Sequence, residues 1–330
     1  MRVCVYGVGA VGSYLLGRLA SIKGITLSAV ARGDNLRVLQ TTGVRIEGPN
    51  GMSFSGRPDA ATDQPETLPP QDLVFVTLKS NALPGVAEAL KALLGSHGHA
   101  VFATNGIPWW WNHGYLDGGS LPLLDPAGTL WNVLTPQKAL GCVVHSGNEV
   151  VTPGLIRHNG SNFWPVGEPD NTDSYRLRLT VELLQSAGLG AIASTNIRRE
   201  VFAKLLRNAS VNGICALTGL PVEWLSQEPS VMALTLAVMD EVVLIAKAHG
   251  VDIGEEAARY RELPTPGPDQ PMALGLRPSM LQDVLARRPM EVEAIVGQTC
   301  AFALEAGLAC PALTAILPLL RGLDMRRALA

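Results

Sequence analysis

Val3-Cys4-Val5-Tyr6-Gly7-Val8-Gly9-Ala10-Val11-Gly12 is the stretch that decides the fold of this chain, because it joins a predicted strand to a predicted helix. Residues 1–6 are largely apolar, as in a buried parallel strand, and residues 13–19 carry apolar side chains at helical spacing. Gly7 permits a tight turn, Gly9 leaves the backbone open to a pyrophosphate, and Gly12 lets helix and strand pack closely. We therefore predict a dinucleotide-binding turn formed by Gly7, Val8, Gly9, Ala10, Val11 and Gly12.

A basic residue follows the second predicted strand, residues 26–31, which ends at Arg32. An Asp or Glu at this position would accept hydrogen bonds from the ribose of NAD and would repel a 2′-phosphate. A guanidinium can instead hold a 2′-phosphate with paired, charge-assisted hydrogen bonds. Arg32 therefore favours NADPH/NADP⁺ as the cofactor, although a solvated arginine at a strand end is the simpler alternative.

The bulk composition is typical of a globular protein of two domains. The chain has 330 residues, of which 47% are hydrophobic and 17% charged, with a formal net charge of −3. This charge and the absence of a Lys/Arg cluster argue against a nucleic-acid partner. Five scattered cysteines without C-x-x-C spacing predict no metal site and fit a reducing cytoplasm. No run of about eighteen apolar residues predicts a membrane span, and a fold that starts at residue 1 predicts no signal peptide.

Strand-like and helix-like runs alternate over residues 1–194, as in a doubly wound parallel α/β sheet. The plainest later strands are residues 72–78, followed by Lys79 and a helix over residues 83–94, and residues 100–103, followed by Asn105. Ligands of such sheets lie beyond the carboxyl ends of the strands. Lys79 and Asn105 are therefore candidates for cofactor binding, and the segment defines an N-terminal Rossmann-type domain.

Between residues 109 and 164 the chain is rich in turn residues, and short strands at residues 142–145 and 155–158 predict a mixed, partly antiparallel edge of the sheet. A helix over residues 175–186 follows. Beyond Asn196, amphipathic segments dominate, so residues 195–330 are predicted to form an all-α domain. Those segments are residues 198–216, 229–249, 280–287 and 290–306.

Three features of the sequence leave alternatives open. The run Trp109-Trp110-Trp111 either walls an apolar pocket or anchors a loop onto the core. The proline-rich loop over residues 264–271 is either a lid or a plain surface loop. The apolar helix over residues 231–246 suits a core or the interface of a homodimer equally well.

Polar residues on the helical half are the candidates for chemistry. Lys204, Asn208 and Asn212 stand at i, i+4 and i+8, which predicts one polar stripe on a largely apolar helix. The stripe is either a substrate site or a solvated face. Ser279, with Gln282 three residues on, has the pattern of a helix N-cap or of a substrate ligand. Glu291 follows eight residues after Asp283.

The glycine turn, the Lys204-x3-Asn208-x3-Asn212 helix and the segment from Ser279 to Glu291 together resemble the ketopantoate reductase (2-dehydropantoate 2-reductase) family. The resemblance covers nearly the whole chain. It implies a Rossmann domain followed by an all-α domain of the 6-phosphogluconate dehydrogenase C-terminal type. It also implies an NADP-dependent oxidoreductase acting on CH-OH donors, which reduces 2-dehydropantoate to pantoate in pantothenate biosynthesis.

The same resemblance implies roles for single residues. Lys204 would be the general acid that protonates the carbonyl oxygen, and Glu291 would be the acidic partner that orients Lys204 or holds a substrate hydroxyl. Substrate would be bound by Asn208, Asn212, Ser279 and Asn105. The cofactor would be bound by Gly7 to Gly12, Arg32, Lys79 and Asn105.

The sequence departs from the family pattern after the stripe. Many members follow the second asparagine with proline and place a further substrate-binding asparagine about ten residues beyond it, whereas this chain has Gly213 and then Leu220-Pro221-Val222. A paralogous reductase of another small 2-oxo acid is therefore an alternative. A non-catalytic NADP(H)-binding regulator is the alternative from another class.

Overall fold

The structure is a computed structural model that describes residues 1–116, 118–261 and 277–326. The chain divides into two compact units. Unit 1 comprises Met1–Thr104 and Pro108–Ile197, and unit 2 comprises Asn105–Ile107 and Arg198–Ala330. The proline-rich loop of residues 264–271 lies outside the described residues.

Unit 1 is built on strands that form two sheets. In chain order they are β1 (Arg2–Tyr6), β2 (Thr26–Val30), β3 (Val44–Glu47), β4 (Ser53–Gly56), β5 (Ala60–Thr62), β6 (Gln71–Val76), β7 (Leu94–Phe102), β8 (Ala139–Cys142), β9 (Asn148–Thr152), β10 (Leu155–His158), β11 (Trp164–Gly167) and β12 (Ala191–Ala193). The larger sheet has the order β12-β11-β8-β7-β6-β1-β2-β5. Its described strand pairs are parallel except β8 with β11. This confirms the predicted doubly wound sheet with a mixed edge.

The first strand lies inside this sheet, as its apolar sequence predicts. Val3 of β1 is paired with Leu27 of β2 on one side and with Leu73 of β6 on the other. Val3 and Val5 are completely buried. The glycine turn that follows β1 is therefore held by strands on both sides.

The helices of unit 1 that the structure describes are α1 (Ala10–Leu19), α2 (Gly33–Thr41), α3 (Ala87–Leu93) and α4 (Tyr175–Ser186). The prediction for α4 is confirmed to the residue. The helix predicted over residues 83–94 is shorter than expected: 3₁₀ turns at Ser80–Ala82 and Pro84–Val86 precede it. The 3₁₀ turn that contains Pro84 thus takes the place of the first turn of the expected helix.

The smaller sheet, with the order β4-β3-β10-β9, corrects the prediction for residues 155–158. That strand is β10, and it belongs to the smaller sheet and not to the edge of the main sheet. The smaller sheet packs on α1, where the His158 ring stacks on the buried Tyr14 ring with 4.4 Å between centroids. The strand predicted at residues 142–145 is also displaced, since β8 spans Ala139–Cys142.

The tryptophan run is part of the interior of unit 1. Trp109, Trp110 and Trp111 are each at most 2% exposed. Trp109 meets Phe102, the last residue of β7, edge to face with 5.4 Å between ring centroids. Of the two alternatives, the structure favours the anchor, because indoles this deeply buried have no surface to offer a ligand.

The regular elements of unit 2 over residues 198–261 and 277–326 are all helical. Its helices are α5 (Ile197–Arg207, which starts at the last residue of unit 1), α6 (Gly213–Thr218), α7 (Pro229–Ala248), α8 (Gly254–Arg261), α9 (Ser279–Leu285), α10 (Gln298–Glu305) and α11 (Pro311–Arg326). Two π-helical turns, Asn208–Asn212 and Glu293–Gly297, replace the regular helix expected there. The all-α prediction is confirmed for this part of the chain, although α8 and α11 were not expected.

The start of α11, which was not expected, is capped by a side chain of another helix. The buried Glu241 carboxylate on α7 accepts hydrogen bonds from the backbone N–H groups of Ala312 and Leu313, each at 2.7 Å. This side chain caps the start of α11 from another helix, so no local capping signal exists. On α7 itself, Val238, Met239 and Val242 are completely buried, so this face of the apolar helix belongs to the core of unit 2.

Candidate active site

The glycine turn has the geometry that each of its glycines requires. Gly7 has a φ of +97°, in a region that favours glycine. A Cβ on Gly12 would lie 2.1 Å from the carbonyl oxygen of Gly7, so only glycine lets α1 approach β1 this closely. The Thr77 hydroxyl, just beyond β6, donates a hydrogen bond to the same oxygen.

Gly9 differs from the other two glycines because it faces open space. It is exposed, it is the N-cap of α1, and a Cβ there would meet nothing within 4 Å. No side chain caps the first backbone N–H groups of α1. Free N–H groups at a helix start and an open approach fit a pyrophosphate. The turn therefore fits the phosphates of a dinucleotide.

Arg32 lies beside this turn, at the end of β2. It is exposed and is the N-cap residue of α2. In the first turn of α2, the Asn35 side-chain amide donates a hydrogen bond to the carbonyl oxygen of Val8 at 3.0 Å. Asn35 thus ties the start of α2 to the glycine turn, a role that no sequence motif indicates. Lys79 is half-buried and follows β6 by three residues.

A lysine, an amide and a carboxylate meet in unit 2. Lys204 Nζ donates a hydrogen bond to Asn105 Oδ1 at 2.8 Å, and Asn105 Nδ2 donates to Glu291 Oε2 at 2.9 Å. The amide therefore turns its oxygen to the ammonium and its nitrogen to the carboxylate. Glu291 is 6% exposed, and Lys204 and Asn105 are half-buried.

The residue after Asn105 explains how the Asn105 amide is held next to Glu291. Gly106 has a φ of +76°, and a Cβ there would lie 2.4 Å from the carbonyl oxygen of Ala294. The Ile107 N–H donates a hydrogen bond to this same oxygen at 2.7 Å. The turn at Gly106 thus docks against the segment that begins with Glu291. The Asn-Gly pair is a turn signal in the sequence, but no local pattern indicates that this turn contacts Ala294.

The two asparagines of the predicted stripe lie side by side. Asn212 Nδ2 donates a hydrogen bond to Asn208 Oδ1 at 2.9 Å, and both side chains are more than 90% buried. Four residues of a regular α-helix overshoot one turn by about 40°. The wider π-helical turn at Asn208–Asn212 reduces this offset. The solvated-face alternative is therefore disfavoured for these two residues.

Ser279 is the first residue of α9 and is exposed. The capping interpretation of Ser279 is wrong, because the N-cap position is taken by Pro278 and no side chain caps the helix. Within residues 198–261 and 277–326, α9 packs against the π-helical turn Asn208–Asn212. The structure thus brings the segment of Ser279 to the stripe, and it joins Lys204 to Glu291 through Asn105.

The fold and these residues are those of an oxidoreductase, with a dinucleotide-binding turn in one unit and hydrogen-bonded lysine, amide and carboxylate groups in the other. Comparison with known proteins supports this class. The family model of ketopantoate reductase PanE/ApbA matches residues 3–171, and the model of its C-terminal domain matches residues 196–324. The chain belongs to the ketopantoate reductase family, which confirms the resemblance inferred from the sequence.

Individual relatives match over their whole length. A 2-dehydropantoate 2-reductase from Mesorhizobium japonicum is 35% identical, with 99% of each chain covered. The crystal structure of a candidate ketopantoate reductase from Ralstonia solanacearum is 35% identical, with a TM-score of 0.87 and coverage of 99% of this chain and 98% of that one. A PanE/ApbA family ketopantoate reductase from Ralstonia eutropha is 25% identical, with a TM-score of 0.81 and coverage of 99% and 100%.

The described residues include no helix that is both long enough and apolar enough to cross a membrane. All five cysteines carry free thiols, and four of them are buried. Burial raises the pKa of the Cys4 thiol and of the Cys215 thiol to about 12. These thiols are therefore protonated and unreactive at neutral pH.

Proposed function

We propose that this protein reduces 2-dehydropantoate to pantoate with NADPH. The observation that carries the proposal is the hydrogen-bonded chain from Lys204 through Asn105 to Glu291 in a member of this family. We further propose that residues 1–194 form the NADP-binding domain and residues 195–330 the substrate and catalytic domain. Family membership supports NADP(H) as the cofactor.

Cofactor binding is assigned to the glycine turn and to two cations. The open backbone at Gly9 and the start of α1 would receive the pyrophosphate, and Arg32 would hold the 2′-phosphate. Lys79 would supply a second cation for that phosphate. When bound, NADPH supplies the hydride that the carbonyl carbon receives. Asn105 is proposed to contact both cofactor and substrate.

The proton is assigned to Lys204. As negative charge develops on the carbonyl oxygen, the ammonium stabilises it and then transfers a proton from Nζ, so that the oxygen becomes a hydroxyl. The amine regains its proton from solvent. Asn105 orients the ammonium by accepting one of its three N–H bonds, and Glu291 orients Asn105 in turn. Such a positioned acid needs no rearrangement during the reaction.

Substrate binding is assigned to Asn208, Asn212 and Ser279. Because Asn212 donates to Asn208 Oδ1, the pair retains the Asn208 amide hydrogens and the Asn212 carbonyl oxygen for a ligand. Leu220-Pro221-Val222 stands where many members have a further asparagine. This departure favours a second candidate function, the reduction of another small 2-oxo acid, because a missing amide weakens selection for a substrate hydroxyl.

A substrate panel tests both functions. Purified protein with NADPH would be assayed against 2-dehydropantoate and a set of small 2-oxo acids, with Lys204→Ala as the inactive control. We expect 2-dehydropantoate to give the highest kcat/KM. Turnover of only a different acid would establish the second candidate function. NADPH binding without any turnover would show that the protein binds the cofactor but is not a reductase of these acids.

We also propose a homodimer in the cytoplasm. The exposed apolar side chains Leu234 and Leu244 lie on α7, and the free thiols fit a reducing compartment. Light scattering on the purified protein tests the dimer, and a mass of about 35 kDa, that of one chain, would exclude it.

A further inference from the structure

A basic cavity lies on unit 2 apart from the residues assigned to catalysis. Its volume is about 180 Å³, and it opens between the end of α9 and the end of α11. The charged residues that line it are Asp283, Arg287, Arg288, Asp324 and Arg326. Three arginines and two aspartates therefore line one small cavity, with Met290 and Leu323 as part of the apolar lining.

Both carboxylates already have partners. Asp283 is 5% exposed and accepts a hydrogen bond from Arg288 Nε at 3.1 Å. Asp324 accepts one from the Met290 N–H at 2.8 Å. In contrast, the side chains of Arg287 and Arg326 form no ion pair or hydrogen bond with any described residue. Within the part of the chain that the structure describes, two guanidinium groups therefore have no side-chain partner, and three arginines against two aspartates give the lining a net charge of +1.

The backbone at Arg287 is a second, independent observation. Arg287 has a φ of +52° and follows the C-cap residue Ala286 of α9. The Arg288 N–H binds the Asp283 carbonyl oxygen, and the Arg287 N–H binds that of Val284. These two hydrogen bonds define a Schellman motif, whose left-handed position is usually glycine. An arginine is strained there, although glycine would fit without strain.

A residue in a strained backbone conformation indicates that its side chain has a function, because glycine would fit this backbone better. A dianion with several oxygens would match the guanidiniums of Arg287 and Arg326, because guanidinium groups bind oxyanions with paired hydrogen bonds. We propose that this cavity is a binding site for a phosphoryl group, with Arg287 and Arg326 as its ligands and Arg288 as the residue that neutralises the Asp283 carboxylate. The site is independent of the proposed reduction.

Titration calorimetry of inorganic phosphate into protein saturated with NADP⁺ tests the site, because the bound cofactor occupies the phosphate-binding groups of unit 1. Ionic strength is kept constant with chloride, so that screening does not differ between variants. Arg287→Gly removes the guanidinium and also relieves the strained backbone. Arg326→Ala removes the second ligand. Arg259→Ala is the matched control, since Arg259 is an exposed arginine of unit 2 that lies outside the cavity.

We expect Arg287→Gly and Arg326→Ala to weaken phosphate binding at least tenfold and Arg259→Ala to change it less than twofold. Thermal unfolding of Arg287→Gly should occur at the same or a higher temperature, which separates lost binding from lost folding. Equal affinity in the protein without substitutions and in Arg287→Gly would overturn the proposal. Glycerol phosphate and succinate are titrated in parallel. Binding of a phosphate monoester identifies a metabolite source, whereas binding of succinate alone would contradict a phosphoryl site.

Discussion

The Asn105 side-chain oxygen accepts a hydrogen bond from Lys204 Nζ at 2.8 Å, although the two residues are 99 positions apart in the sequence. The other end of the same amide donates to Glu291. A neutral amide thus stands between an ammonium and a buried carboxylate. This arrangement orients the Lys204 side chain.

Lys204→Ala should lower kcat by about 10² to 10⁴-fold, because it removes the general acid and the positive charge near the reacting oxygen. The Kd of NADPH should change little, since the glycine turn and Arg32 lie in unit 1. Steady-state kinetics and a fluorescence titration measure the two quantities. Lys247→Ala, a lysine in the last turn of α7, is the control. An unchanged kcat in Lys204→Ala would remove this residue from the chemistry.

Asn105→Ala should lower kcat/KM by about 10 to 100-fold, because hydrogen bonds to charged groups contribute about 1.5–3 kcal/mol. The loss should leave the Lys204 side chain in place but poorly oriented. Asn112→Ala removes an amide that bonds only the Gly119 carbonyl oxygen among the contacts described, and it should retain full activity. Equal activity of both variants would show that the bridge plays no part in turnover.

Arg32→Asp should reduce the preference for NADPH over NADH by at least about tenfold, because a carboxylate repels the 2′-phosphate that the guanidinium would bind. The ratio of kcat/KM for the two cofactors is the measurement. Arg37→Asp is a matched control on the same helix, since Arg37 is exposed and paired with Asp34. A preference that stays the same in Arg32→Asp would refute the role assigned to this arginine.

Two alanine substitutions in the glycine turn should affect different properties, one the stability of the fold and the other the affinity for NADPH. Gly12→Ala places a methyl group 2.1 Å from the Gly7 carbonyl oxygen, so it should destabilise the fold by about 1–3 kcal/mol or more. Gly9→Ala meets no atom within 4 Å, so the unfolding temperature should stay unchanged while the Kd of NADPH rises. Normal NADPH affinity in Gly9→Ala would mean that no phosphate approaches this backbone.

His99 should make the stability of the protein depend on pH. The pKa of His99 is lowered to about 4, mainly by burial of the ring and also by the positive charges of Arg176 and Lys138. The unfolded chain, with an ordinary pKa near 6.5, binds a proton that the folded protein does not. The contribution to stability is therefore complete above pH 6.5 and is lost as the pH falls from 6.5 to 4, by about 1.4 kcal/mol per pH unit.

The variant His99→Gln should flatten this dependence, whereas His97→Gln, at an exposed position two residues away, should not. Urea unfolding at pH 7 and pH 5 gives the difference in the free energy of unfolding. His158 and His249, whose pKa values burial also lowers, will leave a residual slope in both variants. An identical slope in the two variants would contradict the role of His99.

The sequence by itself determined the features that depend on residues close together in the chain. Glycine spacing after an apolar strand predicted the dinucleotide turn, and the period of apolar residues predicted the helical half. The stripe of Lys204, Asn208 and Asn212 was predictable for the same reason. Backbone conformation and helical periodicity are set by neighbours within a few residues, so a single sequence shows them.

Only the tertiary structure decided which distant residues meet. Asn105 and Glu291 are 186 positions apart, and their hydrogen bond depends on the turn at Gly106, which docks against Ala294. The π-helical turns, the cap of α11 by Glu241 and the smaller sheet on α1 likewise depend on packing against other elements. Such contacts form where surfaces fit in three dimensions, and no spacing along the chain encodes them.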